Sequence, residues 1–211
     1  YTEAGGKNAS LLLHDASYGP ELIEVMARYG RGLPAHVLPV SMHAIGRAGH
    51  DLIVGAIALG YEQVFILLNP NKPAENEPLT AQRELAEKML AGVGVSGDGH
   101  IVLLDDADPD VISDKLHQKS SKRVGKPAPF SPVGTPRGYT RLAMRGLAAS
   151  NKIKQAIISL PDGAPYGRVN IDTDNCTICL SCVSACPAGA LQDNPDAPQL
   201  LFREDACLQC G

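Results

Sequence analysis

The first 118 residues alternate short apolar runs with longer segments whose apolar residues recur at helical spacing. Continuous Leu, Ile and Val runs without polar alternation indicate strands that are buried on both faces, as in a parallel sheet between helices. The predicted strands span 10–14, 35–40, 63–68 and 100–104, and the predicted helices span 20–29, 46–59, 79–91 and 109–117. We therefore expect an α/β fold, an open parallel sheet with helices on both faces.

Polar residues follow the predicted strands at their carboxyl ends, where ligands bind in open α/β sheets. These residues are His14-Asp15, Ser41-Met42-His43, Asn69-Pro70-Asn71 and Asp105-Asp106. The G-x-G-x-x-G match at 92–97 leads from a helix into a strand, the reverse of the order that a pyrophosphate site requires. Ser41 has no nucleophile-elbow motif around it. A flavin, nucleotide or substrate site at these strand ends therefore has no supporting motif.

The composition changes after residue 118. Lys, Ser and Pro dominate 119–129, as in an exposed linker. A helix is predicted from Arg137 to about Leu147, with arginines at four-residue spacing along one face. The predicted division is an α/β domain at 1–118, a basic, Pro-rich linker and helix at 119–168, and a third domain at 169–211.

All six cysteines lie in the last quarter of the chain. They form the run Cys176-x-x-Cys179-x-x-Cys182-x-x-x-Cys186-Pro187, followed by Cys207-x-x-Cys210. The first run has the spacing of bacterial iron–sulfur proteins. Two-residue gaps let three thiolates converge from one tight loop on three corners of a cubane, while backbone N–H groups turn toward its sulfides. All six cysteines are therefore predicted to bind [4Fe–4S] clusters.

The segment from about 169 to 211 resembles a bacterial two-cluster [4Fe–4S] ferredoxin domain, of the type found in multi-cluster polyferredoxins. The residues around the cysteines carry the resemblance, at 171–177, at 186–191, and at 200–207, where a short strand again leads into a cysteine loop. The resemblance implies a small α+β domain with two clusters. One is held by Cys176, Cys179 and Cys182, and the other by Cys186, Cys207 and Cys210. Each cluster then lacks one ligand here, which predicts a domain that is truncated at its C-terminus.

The first half, from about Ser10 to Leu104, is similar to the small iron–sulfur delta subunit of methyl-viologen-reducing hydrogenases, which serve heterodisulfide reductase. The similarity lies in 38–43, 46–53 and 60–69. Those subunits bind a small cluster through cysteines near the strand ends, whereas this chain has no cysteine there. The similarity implies a docking scaffold that holds ferredoxin modules against a redox partner.

Two other uses of the cysteines are less consistent with their spacing. A zinc ribbon built from the two C-x-x-C pairs has acceptable ligand gaps, but it leaves Cys182 and Cys186 without a role. Disulfides are disfavoured because clustered C-x-x-C runs ordinarily serve metals or redox chemistry in a reducing compartment, and no secretory segment is visible. The iron–sulfur interpretation accounts for all six residues.

Composition narrows the remaining classes of function. The chain has 44% hydrophobic residues, 20% charged residues and a formal net charge of −4, so it has no basic surplus for binding nucleic acid. No apolar run reaches the roughly 18 residues of a membrane span, and no transmembrane segment is predicted. A cytoplasmic location is the default expectation.

These observations predict an electron-transfer protein that relays single electrons through [4Fe–4S] clusters between an oxidoreductase and its redox protein partner. The polyferredoxin resemblance implies an oxidoreductase of the formate dehydrogenase type, and the delta-subunit resemblance implies one of the hydrogenase type. We expect a component of an oxidoreductase system without catalytic residues of its own. The alternative is a non-redox assembly or maturation factor of a redox enzyme, whose clusters only stabilise a domain too small to fold by hydrophobic burial.

Overall fold

The computed structural model of the chain describes residues 4–95, 99–118, 127–128, 130–131, 133–154 and 158–210. The chain divides into two compact units, Tyr1–Ser159 and Leu160–Gly211. Most of the predicted linker at 119–129 lies outside the described residues, as do residues 96–98 of the glycine-rich segment. None of the helices in the described part is both long and apolar enough to cross a bilayer.

The first unit is an α/β sandwich. Its strands are β1 (Ser10–Asp15), β2 (Val37–Met42), β3 (Gln63–Leu67) and β4 (Ile101–Leu104). Its helices are α1 (Tyr18–Tyr29), α2 (His50–Ala58), α3 (Asn76–Gly92), α4 (Pro109–His117) and α5 (Pro136–Ser150). Short 3₁₀ turns at Ile45–Arg47 and Pro73–Glu75 precede α2 and α3, so the helix predicted from residue 46 begins later, at His50.

The strands form one parallel sheet in the order β2-β1-β3-β4. Leu12 and Phe65 are paired in register and belong to a core with Leu22 of α1 and Ile112 of α4. Neighbouring residues of a strand point to opposite faces, and the strand residues next to Leu12 and Phe65 are buried as well. Because both faces of the sheet are covered, the predicted open parallel sheet between helices is confirmed.

A buried carboxylate, Asp15, joins the end of β1 to its neighbours. The side chain accepts hydrogen bonds from the backbone N–H groups of Tyr18 (2.7 Å) and Gly19 (3.2 Å) in the first turn of α1. It also accepts from Asn69 Nδ2 (2.6 Å) and Lys72 Nζ (3.3 Å), which follow β3. Burial alone raises the pKa of Asp15, but these donors outweigh it and hold the pKa well below its ordinary value. Asp15 thus connects two strand ends and a helix start.

Helix α5 adds a further layer by packing on α2. Gly55 of α2 makes room for the Tyr139 ring, because any Cβ at residue 55 would overlap the phenol. The buried side of α5 includes Thr140 and Leu147. At the end of α5, Asn151 Nδ2 donates to the carbonyl of Val93 (2.8 Å). The helix predicted within 119–168 therefore belongs to the first compact unit.

We predict that Asp15→Asn lowers the free energy of unfolding at neutral pH by roughly 2–3 kcal/mol, because a neutral amide cannot replace a buried carboxylate with four donors. The lowered pKa of Asp15 contributes stability that is present above the ordinary value of 3.8 and is lost as the pH falls below it. Acid should therefore weaken the variant less than the wild type. Urea unfolding followed by far-ultraviolet circular dichroism at neutral pH and near pH 3 measures both effects.

Asp105→Asn is the matched control, since Asp105 also follows a strand. Its side chain is 70% exposed and pairs with Lys115 at 3.5 Å. An exposed ion pair contributes little, so the control should change stability by less than about 0.5 kcal/mol and retain the acid dependence. Equal effects of the two substitutions would contradict the role assigned to Asp15.

Candidate iron–sulfur site

The second unit has little secondary structure and almost no core. It contains the short helix α6 (Ser181–Ala185), the antiparallel strands β5 (Leu191–Asp193) and β6 (Leu200–Phe202), and a 3₁₀ turn at Glu204–Ala206. Among residues 160–210, Ala190 is the one buried residue. A small unit with so little hydrophobic burial ordinarily needs a bound metal group or another crosslink to fold.

Three of the predicted ligands, Cys176, Cys179 and Cys182, line one cavity of about 280 Å³. The rest of its lining is mostly apolar and consists of Ile171, Thr173, Ile178, Leu180 and Leu200. In the described part of the chain, no three His, Cys, Asp or Glu side chains are arranged to hold a metal ion. The three cysteines therefore share the wall of one cavity.

Two left-handed residues shape the cysteine loop. Ile178 has φ 54° and Leu180 has φ 61°, one on each side of Cys179. This conformation is uncommon for side chains other than glycine and is costly for a β-branched residue such as Ile178. Backbone strain of this kind persists where the surrounding structure holds it, often at functional sites. Both residues also line the cavity, so the strained turns form part of its wall.

Two hydroxyl side chains, those of Ser181 and Thr177, form hydrogen bonds with the sulfur of Cys179. The Ser181 hydroxyl oxygen lies 3.3 Å from Cys179 Sγ. Hydrogen bonds from Ser181 and from the Thr177 side chain hold the pKa of the Cys179 thiol below its ordinary value. A lower pKa favours the thiolate, which is the form that binds iron. The sequence pattern did not single out these hydroxyl residues, although each lies two positions from the central cysteine.

Backbone donors have the same effect at Cys186, which directly follows α6. Its Sγ accepts a hydrogen bond from the backbone N–H of Ala190 (3.2 Å). The N–H groups of Leu191 and of residues 188–190 lower the pKa of this thiol. Cys186 lies outside the lining of the cavity, as do Cys207 and Cys210. The cavity wall thus contains the first three cysteines and none of the other three.

The two C-x-x-C loops share a left-handed residue directly before the second cysteine. Gln209 has φ 53°, and it occupies the same position before Cys210 that Ile178, at 54°, occupies before Cys179. The Gln209 N–H also points at the sulfur of Cys207, at 3.4 Å. The repeated sequence is therefore matched by a repeated turn.

Among the described residues of the first unit, the polar side chains at the strand ends form no group of three that could hold a metal ion. His14 is buried, and its Nδ1 donates to the carbonyl of Asp15 (2.8 Å). The His50 ring contacts Gln82 Oε1 (2.7 Å) at the start of α2. Ser41 is exposed. His14 and His50 thus have structural contacts, and His43 is exposed.

The strain at Ile178 leads to a prediction that compares two substitutions. Glycine ordinarily destabilises a structured position relative to alanine by about 0.5–1 kcal/mol, but at positive φ the order reverses. In the iron-loaded chain, Ile178→Gly should therefore resist urea better than Ile178→Ala, by about 1 kcal/mol. Loss of the visible iron–sulfur absorbance during urea titration measures the difference.

Val183, inside α6, provides the control pair for this comparison. There alanine should stabilise the unit more than glycine, because the backbone is helical. The same order of alanine and glycine at both positions would show that residue 178 has no left-handed strain.

Residues 169–192 match the family model of the 4Fe–4S binding domain. The matched segment contains Cys176, Cys179, Cys182 and Cys186, and it ends before Cys207. No curated protein and no solved structure matches the chain significantly. The second unit thus contains a 4Fe–4S binding segment, and this segment supports an iron–sulfur electron-transfer role in general terms.

Proposed function

We propose that this chain is an electron-transfer protein that exchanges single electrons with a partner oxidoreductase through [4Fe–4S] clusters in its second unit. The observation that carries the proposal is the cavity lined by Cys176, Cys179 and Cys182, within the segment that matches a 4Fe–4S binding domain. Three thiols around a space suit a polynuclear cluster, whereas a single zinc ion needs its ligands about 2.3 Å from one point.

The ligand assignment follows the two loops. Cys176, Cys179 and Cys182 would hold three irons of one cluster, and the apolar wall of the cavity would limit the access of water. Cys186 would join Cys207 and Cys210 at a second cluster. The matching turns at Ile178 and Gln209 support two equivalent half-sites.

The protein tunes such a centre through its own groups. A bound [4Fe–4S] cluster supplies a one-electron couple whose potential depends on hydrogen bonds to sulfur, net charge and solvent access. Here Ser181 and the N–H groups at Ala190 and Gln209 point at cysteine sulfurs. These donors stabilise negative charge on the ligands and so favour the reduced state.

The exposure of the site supports exchange with a protein partner. Cys176, Cys179, Cys182 and Cys210 are exposed, and so is the apolar Leu208 beside the second loop. A cluster close to the surface suits the small, transient interfaces of redox encounters. We propose a partner of the formate dehydrogenase or hydrogenase type in the cytoplasm, with the α/β unit as the docking scaffold.

One observation favours the alternative role as a non-redox assembly or maturation factor. With Ala190 as the one buried residue between 160 and 210, a cluster would stabilise this unit whether or not it carried electrons. The two functions differ in redox behaviour. A conduit must be reduced and reoxidised quickly by a protein partner, and a structural cluster has no such requirement.

We predict that Cys179→Ser removes the first cluster, and that Cys210→Ser removes the second and leaves the first intact. Iron, acid-labile sulfide and zinc per chain, measured on anaerobically purified protein, test both expectations. Each variant should lose a different part of the iron and of the electron paramagnetic resonance signal of the reduced protein. Zinc without sulfide in the wild type, or full iron content in Cys179→Ser, would refute the assignment.

Reversible electron exchange tests the function itself. We expect dithionite to reduce the iron-loaded chain. On mixing with an oxidised ferredoxin or a hydrogenase-type enzyme, the reduced chain should be reoxidised rapidly, as measured by stopped-flow absorbance of the clusters. Loaded clusters that neither accept nor return electrons would support the assembly-factor alternative.

A further inference from the structure

We propose that Ser181 is a positioning residue that raises the reduction potential of the centre held by Cys179. It acts by donating its hydroxyl hydrogen to the ligand sulfur, from which it lies 3.3 Å away. This inference rests on the proposed function, and it names a residue that sets the reduction potential of that site.

Iron binding decides the direction of this hydrogen bond. In the free protein either the thiol or the hydroxyl can act as the donor. A thiolate bound to iron has no hydrogen, so the Ser181 hydroxyl must then donate and Cys179 Sγ must accept. The contact thus becomes a charge-assisted hydrogen bond, which is stronger than a neutral one.

The backbone holds the Ser181 hydroxyl close to the sulfur. Ser181 is the first residue of α6 and lies between Leu180, with φ 61°, and the cavity-lining Cys182. The helix start is closed by the Val183 N–H, which donates to the Leu180 carbonyl (3.0 Å). With a ligand cysteine one residue after it and another two residues before it, Ser181 has little freedom to move away.

The Ser181 hydroxyl at Cys179 differs in kind from the donors at Cys186 and Cys207. Cys186 and Cys207 accept from the backbone N–H groups of Ala190 and Gln209. Every residue except proline supplies a backbone N–H group, so those bonds do not depend on the side chain present. The Ser181 hydroxyl belongs to a side chain, so one substitution removes it and leaves the Ser181 backbone N–H and the Thr177 side chain beside the sulfur.

The sign of the effect follows from charge. One-electron reduction transfers an electron from the donor to the centre, makes and breaks no bond, and adds one negative charge that is shared with the ligand sulfurs. A hydrogen-bond donor stabilises the more negative state, so it shifts the equilibrium toward reduction. Removal of the donor must shift the midpoint potential to more negative values.

The test is a redox titration of the loaded chain at neutral pH with dithionite and mediators, followed by electron paramagnetic resonance. Ser181→Ala should lower the equilibrium constant for reduction about threefold to tenfold. At 59 mV per tenfold change for one electron, this is a shift of about 30–60 mV to more negative potential. Ser181→Thr should keep the potential near that of the wild type.

Ser184→Ala is the matched control. Ser184 is exposed on the same short helix, and its hydroxyl makes no hydrogen bond to a cysteine sulfur in the described part of the chain. The same chemical change at this position should leave the potential unchanged. Ser181→Thr and Ser181→Val form a second, isosteric pair that differs by the hydroxyl, so the comparison does not depend on Ser181→Ala alone.

The outcomes separate this inference from the proposed function. Iron and sulfide content, measured on every variant, shows that the centres compared are equally loaded. Equal potentials for the Thr and Val variants, and for Ser181→Ala and Ser184→Ala, would overturn the role of Ser181 and leave the electron-transfer proposal intact. A wild-type chain that binds no iron and sulfide would overturn both.

Discussion

The second unit has no hydrophobic core that would hold its chain in place. Both its folding and the geometry of its site therefore depend on another kind of bond. Between residues 160 and 210 Ala190 alone is buried, while apolar residues such as Ile178 and Leu208 are exposed. Conformational entropy opposes the folding of such a segment, and bonds from its cysteines to a bound cluster would offset that entropy. We therefore propose that the cluster and its cysteine ligands stabilise the unit in place of a hydrophobic core and also form its redox site.

This dependence explains why strain and hydrogen bonds are concentrated around Cys179. A loop that wraps a cluster must turn sharply between ligands, and here the turns fall on Ile178 and Leu180. Those turns bring Ser181 within 3.3 Å of the sulfur. The conformation that builds the cavity thus also places a donor that can set its potential. The first unit differs, because a covered parallel sheet and the Asp15 carboxylate stabilise it.

The sequence predicted what depends on local pattern. Continuous apolar runs identified the parallel sheet, and cysteine spacing identified the 4Fe–4S segment that the family model matches. The contact of Tyr139 with Gly55 was not predictable, because it joins helices far apart in the chain. The left-handed turns were not predictable for another reason. Ile and Leu rarely adopt positive φ, so the sequence gives no sign of this conformation at Ile178 and Leu180.

Amide hydrogen exchange of the chain before and after anaerobic removal of iron by a chelator tests the central claim most directly. We predict that the amides of α6, β5 and β6 are protected in the iron-loaded protein and lose protection without iron, while β1 and β3 stay protected in both forms. Unchanged protection of α6, β5 and β6 after complete removal of iron would contradict the claim that a bound cluster replaces the missing core.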